Sequence, residues 1–259
     1  MVCIFGMKIE SYASSSVGRI RGNNEDSFTL MDRVCLAPAS HLEQTASHRS
    51  SAYLQWYAVM DGMGGEALGE QASFAAAGVL AKHGASLGYG DPAAKADALA
   101  QRMNGAVRSE LGSATGGATL AMAFLRGRNL YPCHIGDSRI YHLRGSVLTR
   151  LTRDHVPGSS LRGMHRSHTL LRYLGCGEDA SGLCETGAPI RLMKGDRVLI
   201  CSDGLTDMLE DGQILRLMKQ YASLEDAARQ LMQSAMEAGG RDNTTLIIMA
   251  CDAGLRRNK

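Results

Sequence analysis

Four aspartates of this 259-residue chain lie in local sequences that suit a shared chemical site. Asp61 and Asp203 each follow an apolar, strand-like run and precede a glycine. Asp137 follows a third such run and a glycine, and Asp242 stands just before the last apolar run. A carboxylate at a strand end is held rigidly with its side chain off the sheet edge, and a neighbouring glycine lets backbone or ligand approach closely. If these strand ends converge, the carboxylates form one anionic cluster.

Such a cluster calls for a cation. Carboxylates crowded in one cleft repel one another and are driven to protonate unless a positive charge keeps them ionised. All the candidate ligands are oxygen donors, with no histidine or cysteine among them, which favours Mg²⁺ or Mn²⁺ over zinc. A single Asp-Gly pair is weak support, because this dipeptide is common in tight turns. The choice between a metal site and ordinary turns therefore depends on the order of these pairs and on the residues beside them.

The elements that would position these acids alternate between strand-like runs and helix pairs. Residues 37–51 are polar and are interpreted as a surface loop or insertion. The strands between 117 and 151 are separated by turn residues and predict a meander whose neighbours pair antiparallel. Runs of strands interrupted by paired helices favour an α+β layered domain. The predicted strands are 7–14, 27–34, 53–60, 117–124, 129–135, 139–143, 147–151, 190–192, 197–201 and 244–250, and the predicted helices are 66–83, 92–111, 211–219 and 224–238.

The composition excludes several classes of protein. Lys and Arg total 28 against 26 Asp and Glu, a net charge of +2 with no basic stripe, so no nucleic-acid partner is expected. The seven cysteines are far apart and form no CxxC pair, which favours a reduced, cytoplasmic compartment. No window has the apolar length of a membrane span and no targeting segment is recognised, so no membrane partner is expected.

Eight short motifs containing these acids occur in a fixed order from residue 21 to residue 243. In that order the sequence resembles the metal-dependent serine/threonine protein phosphatases of type 2C, the PPM family, in its short bacterial form. The motifs are Arg21-Gly22-Asn23-Asn24-Glu25-Asp26-Ser27, Asp61-Gly62-Met63-Gly64-Gly65, Gly117-Ala118-Thr119, Gly136-Asp137-Ser138-Arg139-Ile140-Tyr141, Leu151-Thr152-Arg153-Asp154-His155, Gly195-Asp196-Arg197, Ser202-Asp203-Gly204-Leu205-Thr206-Asp207 and Gly240-Arg241-Asp242-Asn243.

The resemblance implies a four-layer α-β-β-α sandwich: two antiparallel sheets flanked by helix pairs, with a two-metal cleft at one end. Residues 1–259 would form a single phosphatase domain. Asp61 would bridge two Mn²⁺ or Mg²⁺ ions, the Gly62 carbonyl would bind one of them, and Asp203 and Asp242 would complete the other site. Asp137, with Asp203, would hold a possible third, weaker ion.

The resemblance also implies roles for the residues at 21–26. Glu25 and Asp26 would hold waters attached to the metals. Arg21 would grip the substrate phosphate through a bidentate contact that a lysine could not reproduce. Arg19 is the rival for that role, and the register of the motif favours Arg21. Catalysis would proceed by a water activated between the two cations, without a phosphoenzyme.

Two departures from the family pattern limit what is carried over. Eukaryotic members commonly have a histidine after the metal-binding Asp-Gly, where this chain has Met63, so the general acid is unassigned. The flap region, about 155–188, is short, Gly-rich and basic, and we expect substrate choice to lie there. His165 and His168 are interpreted as surface residues rather than half a metal site. Cys176 and Cys184 could form a redox switch, but free thiols are the default.

The expected function is hydrolysis of phosphoserine and phosphothreonine in phosphoproteins, opposing a cognate serine/threonine kinase. A metal-dependent phosphatase of small molecules is an alternative, because two-metal hydrolysis needs only the shared core. A catalytically silent phosphoprotein-binding member is a second alternative, disfavoured because all four metal-site aspartates are present. We expect a cytoplasmic monomer.

Overall fold

The computed structural model describes residues 6–36, 43–64, 68–157, 169–177 and 182–251, and every structural statement below refers to these. The strands are β1 (Ile9–Ser16), β2 (Ser27–Leu30), β3 (Arg33–Leu36), β4 (Gln44–Ser50), β5 (Leu54–Met60), β6 (Gly62–Met63), β7 (Gly117–Ala118), β8 (Leu120–Arg126), β9 (Asn129–Ile135), β10 (Arg139–Arg144), β11 (Val147–Arg150), β12 (Glu185–Thr186), β13 (Ile190–Arg191), β14 (Arg197–Cys201) and β15 (Thr244–Cys251). The helices are α1 (Leu68–His83), α2 (Pro92–Leu111), α3 (Asp203–Thr206), α4 (Asp211–Gln220) and α5 (Leu224–Glu237), with a 3₁₀ turn at Gly84–Gly88.

The strands form two large antiparallel sheets. The first sheet has the order β11-β10-β14-β15-β1-β4, and the second has the order β12-β9-β8-β5-β2-β3 with β13 also paired to β9. One apolar cluster lies between the sheets, another joins the second sheet to α1 and α2, and a third joins the first sheet to α4 and α5. The predicted four-layer α-β-β-α sandwich is confirmed.

The central strands are apolar on both faces because both faces are covered. Along β5, Trp56, Ala58 and Met60 pack toward the helices, whereas Tyr57 and Val59 pack between the sheets. The period-two alternation of a strand thus distributes one continuous apolar run over two cores. Such a run therefore marks a central strand.

Most predicted elements are present, with their ends shifted by one or two residues. The ends of α2 could be predicted from the sequence because capping residues mark them. Asp91 caps the helix by accepting a 2.8 Å hydrogen bond from the N–H of Ala94, and Pro92 occupies the first turn. Gly112 follows the last turn with a φ of 59°.

Two predictions about the first sixty residues are wrong. The polar segment 37–51, expected to be a loop, contains β4, an edge strand that pairs with β1. Its side chains alternate between exposed and half-buried, so it lacks the apolar signal of a strand with a covered face. The single strand expected at 27–34 is the hairpin β2–β3, which turns at Met31 with a φ of 60°.

The predicted meander between 117 and 151 is also only partly right. β8 pairs with β9 and β10 with β11, but β9 and β10 lie in different sheets. The chain crosses from one sheet to the other through Gly136 and Asp137. Gly136 has a φ of 95°, a conformation that glycine adopts without strain.

Strand registers show that the predicted site lies at one end of the sandwich. Met60, the last residue of β5, is opposite Ser27, the first residue of β2. In the other sheet Thr244, the first residue of β15, is opposite Ser16, the last of β1. The segments carrying the predicted site residues therefore leave each sheet at one end of its strands, and the hydrogen bond from Ser202 to Asp26 brings the two ends together.

No described helix combines the length and the apolar composition that crossing a bilayer requires.

A buried ionic cluster on the first sheet predicts a pH-dependent loss of stability. Asp196 accepts two hydrogen bonds from Arg144 and one from the N–H of Met193, and His142 Nε2 lies 3.0 Å away. Burial raises the pKa of Asp196, but these partners outweigh it and hold the pKa below its ordinary value. The carboxylate therefore contributes stability above its unfolded pKa of about 3.9, and the contribution disappears as the pH falls through the lower folded value.

We expect Asp196→Ala to lower the free energy of unfolding at pH 7 by about 3 kcal/mol, because it leaves Arg144 and His142 without their partner. Urea unfolding from pH 7 to pH 3 measures the difference from wild type, which should shrink with acidity. The control is Glu10→Ala, which removes the exposed ion pair with Arg49 and should cost less than about 1 kcal/mol. If the stability difference between wild type and Asp196→Ala did not change with pH, the lowered pKa assigned to Asp196 would be contradicted.

Candidate metal centre

A cleft of about 160 Å³ lies at the end of the sandwich where the predicted site segments leave the sheets. It receives side chains from loops that follow or precede β1, β5, β9, β14 and β15. Seven of the eight predicted site residues line it, and the eighth, Asp26, is buried nearby. The lining residues are Arg21, Glu25, Asp61, Gly62, Met63, Gly64, Thr119, Asp137, Leu170, Asp203 and Asp242.

Asp61 is fixed through its backbone by Thr119. The N–H of Asp61 donates to Thr119 Oγ1 at 3.0 Å, and the Asp61 carbonyl accepts from the N–H of Thr119 at 2.8 Å. Thr119 Oγ1 also lies 2.7 Å from the hydroxyl of Ser138, which directly follows Asp137. Two of the predicted metal ligands are thus connected through a buried hydroxyl pair.

Gly62 occupies a position that admits no side chain. A Cβ built there would collide with the carbonyl oxygens of Gly69 and Glu25. Only glycine lets these three backbone segments meet, and the close contact brings the Glu25 loop against the Asp61 loop. The Asp-Gly pair is therefore a packing requirement of the cleft as well as a turn.

Asp203 and Asp26 approach the cleft from the first sheet and from the β1–β2 loop. Asp203 begins the short helix α3, directly after Ser202. The Ser202 hydroxyl donates to Asp26 Oδ2 at 2.9 Å, whereas the buried Oδ1 of Asp26 has no hydrogen-bond partner among the described residues. Buried carboxylate oxygens are normally partnered, so this atom can accept from a water or contribute to the binding of a cation.

Asn243 holds the β1–β2 loop against the start of β15. Its amide nitrogen donates to the carbonyls of Val17 and Asn23, and its Oδ1 accepts from the N–H of Glu25 at 2.8 Å. Because Asp242 is its immediate neighbour, one buried side chain sets the position of Asp242 relative to Glu25. No role was predicted for Asn243 or Thr119, although both stand in the motifs, and their polar character at strand ends was the available signal.

The electrostatics of the cleft are those of crowded anions. Partial removal from water raises the pKa of Asp61, and the charges of Asp26, Asp203 and Asp137 raise it further. The pKa of Asp203 is raised in the same way: burial is the largest cause, and the charge of Asp137 is the next. Burial likewise raises the pKa of Asp26 and of Glu25. Without a cation, this crowding favours the neutral, protonated forms of these groups.

The residues present fit a divalent cation. Every titratable ligand candidate in the cleft is a carboxylate, one buried carboxylate oxygen is unpartnered, and the mutual repulsion falls when positive charge is added. An all-oxygen donor set suits Mg²⁺ or Mn²⁺. Asp61, Asp203, Asp242, Asp137 and the Gly62 carbonyl are the groups that could hold such ions.

Arg21 lies on the cleft wall and Arg19 does not. The guanidinium of Arg21 donates to Asp242 Oδ2 at 2.6 Å, and its side chain is 54% exposed. Arg19 also lies beside the cleft loops, because its N–H donates to the carbonyl of Gly240, but it is absent from the lining residues. The arrangement places Arg21, rather than Arg19, within reach of a group bound in the cleft.

The remaining sequence predictions have mixed outcomes. Met63 lines the cleft and no histidine does among the described residues, so the general acid stays unassigned. His165, His168 and part of the flap lie outside the described residues. Cys176 and Cys184 are free thiols, as the default interpretation has it.

Comparison with known proteins identifies the family. Residues 42–239 match a family model described as protein phosphatase 2C. The chain belongs to the protein phosphatase 2C family. The resemblance inferred from the eight motifs is therefore confirmed.

Two relatives illustrate how far the likeness of this phosphatase 2C chain extends. The serine/threonine protein phosphatase PstP of Mycobacterium tuberculosis is 30% identical over 250 residues, covering 91% of this chain and 44% of PstP. The structure of the PstP catalytic domain in complex with two manganese ions has a TM-score of 0.73 and 30% identity, and the match covers 94% of this chain and 98% of that one. PppA, a regulatory component of the T6SS in Pseudomonas aeruginosa, has a TM-score of 0.75 at 27% identity, covering 94% and 97%. The chain spans about half the length of the curated relatives it matches.

The charge balance of the cleft in this phosphatase 2C chain predicts how Mn²⁺ changes its stability. At an Mn²⁺ concentration a hundredfold above the dissociation constant, wild type should gain about 2.7 kcal/mol over the chelated protein for each ion bound. Asp61→Asn removes one of the repelling charges, so its melting temperature in chelator should equal or exceed that of wild type, whereas its gain on adding Mn²⁺ should be much smaller. Differential scanning calorimetry with Mn²⁺ and with chelator measures both quantities.

The control for this experiment is Asp226→Asn, which removes an exposed carboxylate on α5 that pairs with Arg229. This variant should keep the full Mn²⁺-dependent shift. An equal shift in Asp61→Asn and wild type would show that Asp61 is no ligand.

Proposed function

We propose that this chain is a metal-dependent phosphatase of phosphoserine and phosphothreonine in proteins. The observation that carries the proposal is the convergence of Asp61, Asp137, Asp203 and Asp242 with Arg21 around one cleft. The naming of PstP as a serine/threonine protein phosphatase, and the two manganese ions in its structure, support the same function and cofactor here.

The metal ligands in the proposal are those expected from the family motifs. Asp61, the Gly62 carbonyl, Asp203 and Asp242 would hold the two core ions, with Asp61 shared between them, and Asp137 would hold a third. When bound, divalent cations acidify the attacking water and neutralise charge on the phosphoryl oxygens. The chain itself has to keep the carboxylates apart and oriented, which the hydrogen bonds of Thr119 and Asn243 do.

Arg21 orients the substrate in this proposal. Its planar guanidinium can contact two phosphoryl oxygens at once, and its present contact with Asp242 places it at the edge of the carboxylate cluster. Glu25 on the cleft wall, and Asp26 buried beside it, would accept hydrogen bonds from waters attached to the metals. The cleft is open to solvent at Arg21, so a phosphorylated side chain can enter from that side.

The proposal includes phosphoproteins as substrates, a cognate serine/threonine kinase as the opposing enzyme, a monomeric state and a cytoplasmic location. The chain would act as one catalytic domain.

The deciding experiment compares phosphoserine and phosphothreonine peptides with a panel of small phosphomonoesters, each with Mn²⁺, Mg²⁺ and chelator. We expect peptide hydrolysis that requires the metal and stops in chelator. Hydrolysis of small phosphomonoesters alone would favour a small-molecule phosphatase. Metal-dependent peptide binding without turnover would favour a silent binding member.

The two arginines give a matched pair of variants. Arg21→Ala should lose a charge-assisted contact worth about 1.5 to 3 kcal/mol, and so lower kcat/KM by about tenfold to a hundredfold. Arg19→Ala removes an exposed guanidinium outside the cleft lining and should remain near wild type. Steady-state kinetics on a phosphopeptide at saturating Mn²⁺ measure both, and the reverse ranking would move the phosphate contact to Arg19.

A further inference from the structure

A buried histidine outside the cleft lining joins three parts of the site region. His155 ends the Leu151-Thr152-Arg153-Asp154-His155 motif and is 9% exposed. Its backbone N–H donates to the Gly136 carbonyl at 3.0 Å, and its Nδ1 accepts from the Gly136 N–H at 3.1 Å. Both polar groups of Gly136, the residue before Asp137, are therefore bound to one residue.

The other ring nitrogen faces a different segment. His155 Nε2 lies 3.2 Å from Oε2 of Glu185, the first residue of β12. β12 is held in place by pairing with β9, where Glu185 is opposite His134. The His134 ring stacks on the His155 ring with the centroids 4.6 Å apart.

These three side chains have the composition of a metal site, because ligand atoms of His134, His155 and Glu185 lie within 4.8 Å of one another. The hydrogen bonds assign a different role. Since the Gly136 N–H donates to Nδ1, the proton of the neutral imidazole must lie on Nε2, where it points at Glu185. A protonated nitrogen has no lone pair for a metal, so His155 acts as a hydrogen-bond relay between Glu185 and Gly136.

The backbone carbonyl of His155 makes the third connection. It accepts from the N–H of Leu171 at 2.8 Å, and the preceding residue, Leu170, forms part of the cleft wall. One residue is thus bonded to the turn that carries Asp137, to β12, and to the segment that supplies the apolar wall.

We infer that His155 is a positioning residue for Asp137, held in its working tautomer by Glu185. The inference rests on the proposed function, in which Asp137 belongs to the phosphatase site. Asp137 stands where the chain crosses between the sheets, so its carboxylate has no strand pairing of its own to orient it. The ring of His155 holds the N–H of Gly136, the residue before Asp137, while the backbone N–H of His155 holds the Gly136 carbonyl. The carboxylate of Glu185 keeps the ring nitrogen that faces Gly136 an acceptor.

Two substitutions of His155 separate the two ends of the relay. In His155→Asn the amide oxygen takes the place of Nδ1 and can still accept from Gly136, but it does not reach Glu185. In His155→Gln the longer side chain reaches toward Glu185 and leaves the Gly136 N–H without its acceptor. We expect His155→Asn to keep kcat within about threefold of wild type. His155→Gln should lower kcat by about tenfold or more, as is usual for lost orienting partners, with KM for an aryl phosphate little changed.

A second readout does not depend on turnover. The Gly136 amide proton, hydrogen-bonded to a ring nitrogen, should resonate at low field in the chelated wild type and in His155→Asn, and should move upfield in His155→Gln. Two-dimensional ¹⁵N–¹H spectra of the three proteins test this. An unmoved Gly136 resonance in His155→Gln, or equal kcat in the Asn and Gln variants, would overturn the inference.

Glu185 provides variants that leave the buried ring in place. Its side chain is 51% exposed, so substitution should preserve the fold. Glu185→Gln keeps an oxygen that accepts from Nε2–H and should be close to wild type, whereas Glu185→Ala frees the tautomer and should lower kcat about threefold or more. Equal kcat in Glu185→Ala and wild type would contradict the role given to Glu185, even if the His155 variants failed to fold.

The matched control is His142→Gln. His142 is also buried and also lies against a carboxylate, Asp196, but it does not line the cleft. This variant should lower the melting temperature without changing kcat per folded molecule. Absence of Mn²⁺-dependent hydrolysis in wild type would refute the proposed function. If wild type is active but His155→Asn and His155→Gln have the same kcat, only the positioning role is refuted.

Discussion

Repulsion among carboxylates at one end of the β-sandwich is the constraint on which the rest of the structure depends. Burial raises the pKa values of Asp61 and Asp203, and the charges of Asp26 and Asp137 raise both further. A flexible chain would relieve the repulsion by moving the side chains apart. Here the strands beside these carboxylates belong to two packed sheets, so the side chains cannot move apart. A cation bound among them relieves the repulsion, and this favours cation binding.

Retaining that repulsion requires more than strand ends. Thr119 fixes Asp61 through two backbone hydrogen bonds, Asn243 ties the Glu25 loop to the start of β15, and Gly62 lets three backbone segments meet. These residues carry no charge, yet each sets the separation between two that do. His155 extends the same principle to Asp137, whose turn lies between the sheets rather than within one. The family motifs therefore contain the residues that position the candidate ligands as well as the candidate ligands themselves.

The positive side of the site is more loosely held than the negative side. Arg21 is half exposed, and its described contact is with Asp242, one of the predicted metal ligands. A cation and a phosphoryl group would each offer one of these two residues a stronger partner. The contact therefore keeps the guanidinium near the cleft while leaving it free to turn to a substrate.

The sequence by itself predicted most of the elements and selected the candidate site residues. Apolar runs gave the central strands because both of their faces are covered, caps such as Asp91 marked helix ends, and the ordered motifs selected Asp61, Asp137, Asp203 and Asp242. β4 escaped prediction because an edge strand with little buried surface has no apolar signal. Only the tertiary structure decided that β9 and β10 belong to different sheets, and that Glu185 meets His155 across 30 residues. Those contacts depend on how the sheets stack and on which loops reach the same end of the sandwich. Neither can be inferred from the structural preferences of short stretches of sequence.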